Sequence, residues 1–555
     1  MSKRRQTELK ATPLNLSVHR WKEISSLRAQ ADTKWNIQSI QPFFPTLQLL
    51  FKTNDLEFVQ EYGLRFDEEV SSILEPNLIH TSLHNTQSVH LKTSMLLSPF
   101  KWMEGEYGLE VGLPTSHEQS QVISSKIQNY NNSSYVGSLI AGVLSQSKCQ
   151  HFPKVFGIFS GFSKNHTINI SDDYEDLSER SWFVKNIGKT FHLKLAEGIK
   201  SNTEFNHTRR SRQQLHLGED IELEGVNELE TTEVSASMGE IQKIFHTEEE
   251  DETDDMSDSS SVSTSYIFDI QSNDPNDGVD EVDEDEDMDV DEDLEDIEDE
   301  NEEFAWATFT NVPVQTTIME KCEDTFFNLL MSDPDPNKHL AWVTQVVFAL
   351  AYAQRNFGFV HNDLHSNNVM YVKTDQEFLN YSCNGIFYKV PTFGYLIKII
   401  DFERGLMSLR ISGMKDSKFV MSDHFALSEE AGGQYNYEPF YNPKYPEIKP
   451  CPSFDLVRLA TSIFWDLFPE GPYHEPYKAK VLFNMLIRWL TMDDGSSIMF
   501  GKKDPRVDRY GGFMIYKAIA RYCRDSAIPR KEVEYLKTIY SVESLPMGST
   551  WLNID

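Results

Sequence analysis

The chain has 555 residues with 39% hydrophobic and 12% aromatic content, enough for two ordinary domains with a true core, which excludes a wholly disordered protein. Its formal charge of −36 resides in one place: Glu219–Glu303 holds 37 acidic residues and one basic residue, Lys243, so the remainder is neutral. The overall pI therefore describes that stretch and excludes nothing about the partners of the folded part.

Residues 1–34 are polar, basic at the start, and read as an N-terminal tail or peripheral helix. "MSKRRQTELK" lacks the apolar stretch of a signal peptide, and no run of 18 apolar residues follows anywhere, so no membrane association is expected. From 35 to 217 come strand-like runs, "SVHLKTSMLL" and "FPKVFGIF", around one helical pattern, "SSYVGSLIAGVLSQ". In that helix Val136, Leu139, Ile140, Val143 and Leu144 fall on one face. The region predicts a small strand-rich lobe.

Residues 218–303 turn acidic and Ser-rich, ending in "DEVDEDEDMDVDEDLEDIEDENEE". Such a stretch repels itself and cannot bury enough apolar surface to offset its ordering entropy, so disorder is expected. Thr253 and Ser257 lie among acids, as in sites for acid-directed kinases; a solvating tract without modification is the alternative. A basic protein is the partner this insert would take, and a solubilising insert with no dedicated partner is the other reading. The basic clusters "SKRR" and "HTRRSR" are too short to predict direct nucleic-acid binding.

Order is expected to resume at 304–325, where "TNVPVQTTIMEKCEDTFFNLLMS" reads as an alternating strand followed by a short helix. Residues 326–555 predict a large helical region. Leu340, Val343, Val346, Val347, Leu350 and Ala351 form a helical stripe that Gly358 ends. The apolar strand "YLIKIIDF" and the helical patterns "SFDLVRLATSIFWDLF" and "YKAKVLFNMLIRWLTM" follow. Cys149, Cys322, Cys383, Cys451 and Cys523 are odd in number and scattered, without a C-x-x-C pair or zinc-like spacing, and predict reduced thiols in a cytosolic setting.

The stretch "FVHNDLHSNN", Phe359–Asn368, sits between the long helix and a strand. Phosphoryl transfer from ATP needs one carboxylate to orient the attacking hydroxyl, and Mg²⁺ held by a second carboxylate and an amide oxygen. His361-x-Asp363-x4-Asn368 supplies the first carboxylate and the amide, and Asp401, closing "YLIKIID", supplies the second. Turn residues that merely satisfy backbone groups are the competing reading.

On these residues the part from about Thr310 to Lys537 resembles protein kinases, most closely the serine/threonine kinases of large eukaryotic DNA viruses, which share the "HNDLH-x-NN" loop and the "VPTFGYLIKIIDF" approach. The resemblance implies an α+β, two-lobe protein-kinase-like fold: a strand-rich N-lobe carrying the disordered insert, and a helical C-lobe. It implies transfer of the ATP γ-phosphate to a protein Ser/Thr hydroxyl, with Mg²⁺ or Mn²⁺, inside a host cell's cytoplasm or nucleus or packaged in a virion. Asp363 would be the catalytic base, Asn368 and Asp401 the metal ligands, His361 a buried support, and Asp455 the structural carboxylate that binds the catalytic-loop backbone. His365 would stand where serine/threonine kinases place a γ-phosphate Lys. "MEKCEDTFFNLL" resembles the hinge, with Glu320 to Cys322 presenting backbone groups to adenine and Met319 near the gatekeeper position. "SVHLKTSMLL" resembles the strand whose Lys, here Lys92, holds the α- and β-phosphates; a solvated lysine is the competing reading.

Four departures stand out. No G-x-G-x-x-G precedes Lys92, and the Tyr135–Gln146 helix has no Glu to pair with it. Glu403 occupies the place of the family's Gly after Asp-Phe, where strain or metal recruitment is expected, and Asn362 replaces the Arg that reads a phosphorylated loop. "HNDLH" also fits a small-molecule phosphotransferase of the choline or aminoglycoside type. The altered metal loop leaves a pseudokinase scaffold as a third reading.

Overall fold

The computed structural model describes residues 12–53, 55–108, 111–115, 121–171, 173–196, 304–502, 504–546 and 548–555. The acidic stretch, with Thr253 and Ser257, lies outside the described residues, as does "HTRRSR".

The N-terminal region is built on a seven-stranded antiparallel sheet. Ahead of it, helix α1 (Ile24–Lys34) buries Ile24, Leu27 and Ala31, spaced three and four apart on one face. Residues near the N-terminus thus contribute to the core, beyond the tail or peripheral helix that their polarity suggests. The strands are β1 (Ile37–Gln41), β2 (Val70–Glu75), β3 (Leu78–Thr81), β4 (Thr86–Met95), β5 (Val155–Asn169), β6 (His192–Leu195) and β7 (Ala305–Glu320). They run in the order β1-β5-β7-β4-β3-β2, with β6 also on β7. The strand β7, which follows the insert, is central and pairs along its length with β4 and β5, its Thr317 opposite both Lys92 and Ile158. Between β4 and β5 lies helix α2 (Ser133–Ser145), N-capped by the Asn132 side chain, which accepts from Ser134 N–H. It is buried at every position from Ser134 to Leu144 rather than on one stripe, as a helix clamped between the sheet and the C-terminal region must be.

The C-terminal region is mainly helical. Helix α3 (Phe326–Ser332) is capped by Thr325, and α4 (Pro336–Phe357) by Asp335 with proline in its first turn. The latter ends at Gly358, whose φ of 57° only glycine adopts readily. Nearly all of α4 from His339 to Ala353 is buried, so it is the central support of this region. Strands β8 (Val369–Lys373) and β9 (Tyr395–Ile399) pair antiparallel, and β10 (Leu406–Ile411) pairs with β11 (Lys418–Met421). Helices α5 (Phe454–Leu467), α6 (Val481–Trp489) and α7 (Met514–Tyr522) belong to the same region. Among the described residues no helix is long and apolar enough to cross a membrane.

Candidate active site

Register brings the two predicted metal-ligand residues together. Val369, opening β8, lies opposite Ile399, closing β9. The residues just outside that pair, Asn368 and Ile400, are then neighbours, and Ile400 N–H donates to the Asn368 carbonyl at 3.1 Å. Asp401 follows directly. Its φ of 60° is a left-handed conformation, which Asp tolerates better than most residues. The side-chain NH₂ of Asn368 donates to the Asp363 carbonyl at 2.9 Å, which leaves its oxygen as the atom for a ligand. One amide oxygen and one carboxylate form a hard-oxygen set that fits Mg²⁺ or Mn²⁺ completed by water and phosphate. Among the described residues no group of three or more His, Cys, Asp or Glu side chains could hold a metal by itself.

Asp455, in the first turn of α5, anchors the loop. Its carboxylate accepts His361 N–H at 3.0 and 2.9 Å and Asn362 N–H at 3.0 Å, all buried. His361 closes the other side: Asp363 N–H donates to its Nδ1 at 3.3 Å, and its Nε2 lies 2.7 Å from the Ile400 carbonyl. One neutral tautomer, with the proton on Nε2, satisfies both bonds. Asn362, at φ 66°, donates to the Arg404 carbonyl at 2.9 Å and accepts from the Tyr435 hydroxyl at 2.6 Å. It therefore serves as a local brace.

Besides His365, Asp363 is held by groups that the sequence did not single out. The Tyr516 hydroxyl, from α7, donates to its Oδ1 at 2.7 Å, and Arg458 Nε in turn donates to that hydroxyl at 3.1 Å. Burial would push the Asp363 carboxyl up, but Arg404, then His365 and Arg458, and the Tyr516 hydrogen bond outweigh it and bring the pKa down to about 2. Arg404 is fixed by the buried Glu430 at 2.9 Å. Tyr516 lies 153 residues from Asp363, and no local pattern could have linked them.

The remaining predicted residues divide. His365 is buried, and its Nδ1 accepts Asn367 N–H at 3.3 Å, capping the short turn Ser366–Asn368. Lys92 Nζ sits 3.1 Å from Asp401 Oδ2, so the lysine faces that carboxylate rather than open solvent. At the predicted hinge Glu320 N–H is taken by the Lys154 carbonyl at 2.8 Å, and its carboxylate pairs with the nearly buried Lys398 at 2.8 Å. This ties down the strand end; of this segment Met319 lines the cleft beside Lys92 and Asp401. Burial pushes the Cys322 thiol up to about 12, which makes it unreactive.

Glu403 departs from the expectation of strain: it is not among the positive-φ residues, and the left-handed residue of this loop is Asp401. The Glu403 side chain turns toward the N-terminal region and accepts from the Ser94 hydroxyl of β4. Burial raises its pKa, and Lys92 is the strongest influence in the opposite direction. Between Asp401 and Glu403, Phe402 packs on the rings of His361, Phe359 and Phe152, 5.7 to 6.2 Å away. The segment after this loop is tied to the start of α2: Asp423 accepts Ser133 N–H at 2.9 Å and Asn129 Nδ2–H at 2.8 Å, and Glu429 pairs with Lys126 at 2.6 Å.

No family model matches the chain. Serine/threonine-protein kinase haspin of Mus musculus is 40% identical over 108 residues, covering 19% of this chain and 14% of the mouse protein. The protein of the same name from Bos taurus is 40% identical over 58 residues, 10% of this chain and 7% of the bovine one. Each match therefore covers a small part of either chain, and together they support a protein-kinase-like relationship at the level of the family.

Proposed function

We propose that the protein is an ATP-dependent serine/threonine protein kinase with a two-lobe kinase-like fold. The observation that carries this is the linkage of Asp363, Asn368, Asp401 and Lys92, drawn from two loops and a distant strand: Asn368 bonds to the Asp363 carbonyl and to Ile400 beside Asp401, Asp401 pairs with Lys92, and Asp455 holds the loop backbone. In this reading Asp363 accepts the hydrogen bond of the incoming hydroxyl and orients it. A carboxylate with a pKa near 2 is a weak base, so positioning is the larger part of its work. Lys92 holds the α- and β-phosphates, and Asn368 and Asp401 would hold a divalent ion, which supplies neutralisation of charge on the transferring phosphoryl group. Adenine would lie against Met319 and the Glu320–Cys322 backbone. A protein substrate, a basic partner for the acidic insert, kinship with kinases of large DNA viruses, and action within a host cell belong to the same proposal. The last two rest on the "HNDLH" loop and the "VPTFGYLIKIIDF" strand.

The test is transfer of labelled γ-phosphate from ATP, with Mg²⁺ or Mn²⁺, to basic and acidic proteins and to small aminoalcohols, beside Asp363→Ala. Label on protein that disappears in the variant is the expected result. Label only on aminoalcohols would replace this reading by a small-molecule phosphotransferase. Nucleotide binding without any transfer would replace it by a pseudokinase.

A further inference from the structure

In the kinase reading a carboxylate positions the phosphate-binding lysine, here Lys92, and α2, the helix that packs behind it, contains no acidic residue. Where that helix passes the cleft it carries Gly137, and a Cβ built there would lie 2.9 Å from Glu403 Cγ and 3.1 Å from Glu403 Cα. The space that a side chain from the helix would fill is thus filled by a glutamate arriving from the opposite direction, out of the metal loop. Its carboxylate is tethered to the Ser94 hydroxyl. Ser94 stands two residues beyond Lys92 on β4, and strand alternation points both side chains to the same face. Lys92, Ser94, Gly137, Asp401 and Glu403 line one cleft.

Resting on the kinase reading above, we propose that Glu403 is the positioning residue for Lys92, supplying from the metal loop the carboxylate that α2 lacks. Asp401 now shares Lys92 at 3.1 Å, but the proposed function commits Asp401 to the divalent ion, and Glu403 is then the carboxylate that remains beside the lysine. The Asp-Phe-Glu triplet and Gly137 are then two parts of one arrangement: the acid comes from the loop, and the helix, bare of a side chain at Gly137, leaves room for it. The absence of a helix glutamate and the presence of Glu403 therefore have a single explanation.

The experiment measures binding of a fluorescent ATP analogue to the full chain with Mg²⁺ present, and separately KM for ATP and kcat, for wild type, Glu403→Gln, Glu403→Gly and the double variant Glu403→Gly/Gly137→Glu. With Asp401 committed to the ion, losing the remaining charged partner of the lysine is expected to weaken nucleotide binding in Mg²⁺ about tenfold in Glu403→Gln and to raise KM in proportion. Returning a carboxylate to the helix in the double variant is expected to recover most of what Glu403→Gly loses, which a merely structural role for Glu403 would not produce. Ser94→Ala, which cuts only the tether, is expected to weaken binding about threefold and serves if the Glu403 variants do not fold. Wild-type binding in Glu403→Gln, or in Ser94→Ala where only that variant folds, overturns the inference, as does a folded double variant that binds no better than Glu403→Gly. Wild type that binds nucleotide but transfers no phosphate overturns the kinase reading alone, and wild type that binds no nucleotide overturns both.

Discussion

Tyr516→Phe is the substitution that most directly tests how Asp363 is held. It removes one hydroxyl and no ring volume, so the buried packing of Tyr516 against Phe513 and Phe454 is kept. That hydroxyl gives a 2.7 Å hydrogen bond to the Asp363 carboxylate and takes a 3.1 Å one from Arg458. A hydrogen bond to a charged group contributes about 1.5–3 kcal/mol, and here a buried guanidinium N–H loses its acceptor as well, so unfolding free energy should fall by about 2–3 kcal/mol. Arg404 remains on Glu430 and keeps its charge near the carboxylate, so Asp363 stays ionised at neutral pH while gaining rotational freedom. The expected kinetic result is a kcat about tenfold lower, equivalent to about 1.4 kcal/mol of lost positioning, with KM for ATP unchanged. Urea unfolding and steady-state phosphate transfer measure the two effects. A kcat that rises would refute the reasoning, because it would mean that Tyr516 competes with the substrate hydroxyl for Asp363. Unchanged stability and unchanged kcat would refute it too.

Three further outcomes are expected. Asp455→Ala strands two buried backbone N–H groups, those of His361 and Asn362, and should cost about 2–5 kcal/mol in urea unfolding, with Asp455→Asn about half as damaging because one acceptor oxygen survives; a loss under 1 kcal/mol in the alanine variant would show that the loop holds itself. The Asp363 pKa is depressed from 3.8 to about 2 in the folded state, so its contribution of about 2 kcal/mol is present above the unfolded value and lost as pH falls through the folded one. Relative to Asp363→Asn, wild type should lose about 1 kcal/mol between pH 5 and pH 3, and a parallel pH dependence of the two proteins would contradict the arrangement of cations around Asp363. Asp401→Ala should abolish phosphate transfer while leaving the fold intact by circular dichroism, whereas full activity in that variant would remove Asp401 from the site.

Much of the local architecture was legible in the sequence because it depends on local rules. The central helix announces itself by Asp335-Pro336 at its start, an apolar stripe along its length and Gly358 at its end. The alternation in "SVHLKTSMLL" and in the strand after the acidic stretch reads directly as β4 and β7. The spacing picked out Asn368 and Asp401, which the β8–β9 pairing brings together, and Asp363, which Asn368 joins by a side-chain hydrogen bond. Lys92 was a candidate only, since a lysine in an alternating strand has the same pattern whether it faces water or Asp401. What decided it was tertiary, the position of β4 beside β7 and over the loop that starts at Asp401.

The rest depended on contacts between residues far apart in the chain. Glu403 read as a handicap because it stands where glycine's backbone freedom was expected and next to a metal-ligand candidate. In the folded protein its neighbours are Ser94 and Gly137, more than 250 residues away. Arg404, Arg458 and Tyr516 looked like ordinary charged and aromatic positions, and only packing shows them closing around Asp363. The sequence by itself determined which segments become helices and strands and which carboxylates sit in loops, because hydrophobic period, capping and turn chemistry act over a few residues. Which carboxylate serves which cation was decided only by the tertiary structure, because electrostatic interactions follow distance through space and the burial that strengthens them exists only once the two regions have packed together.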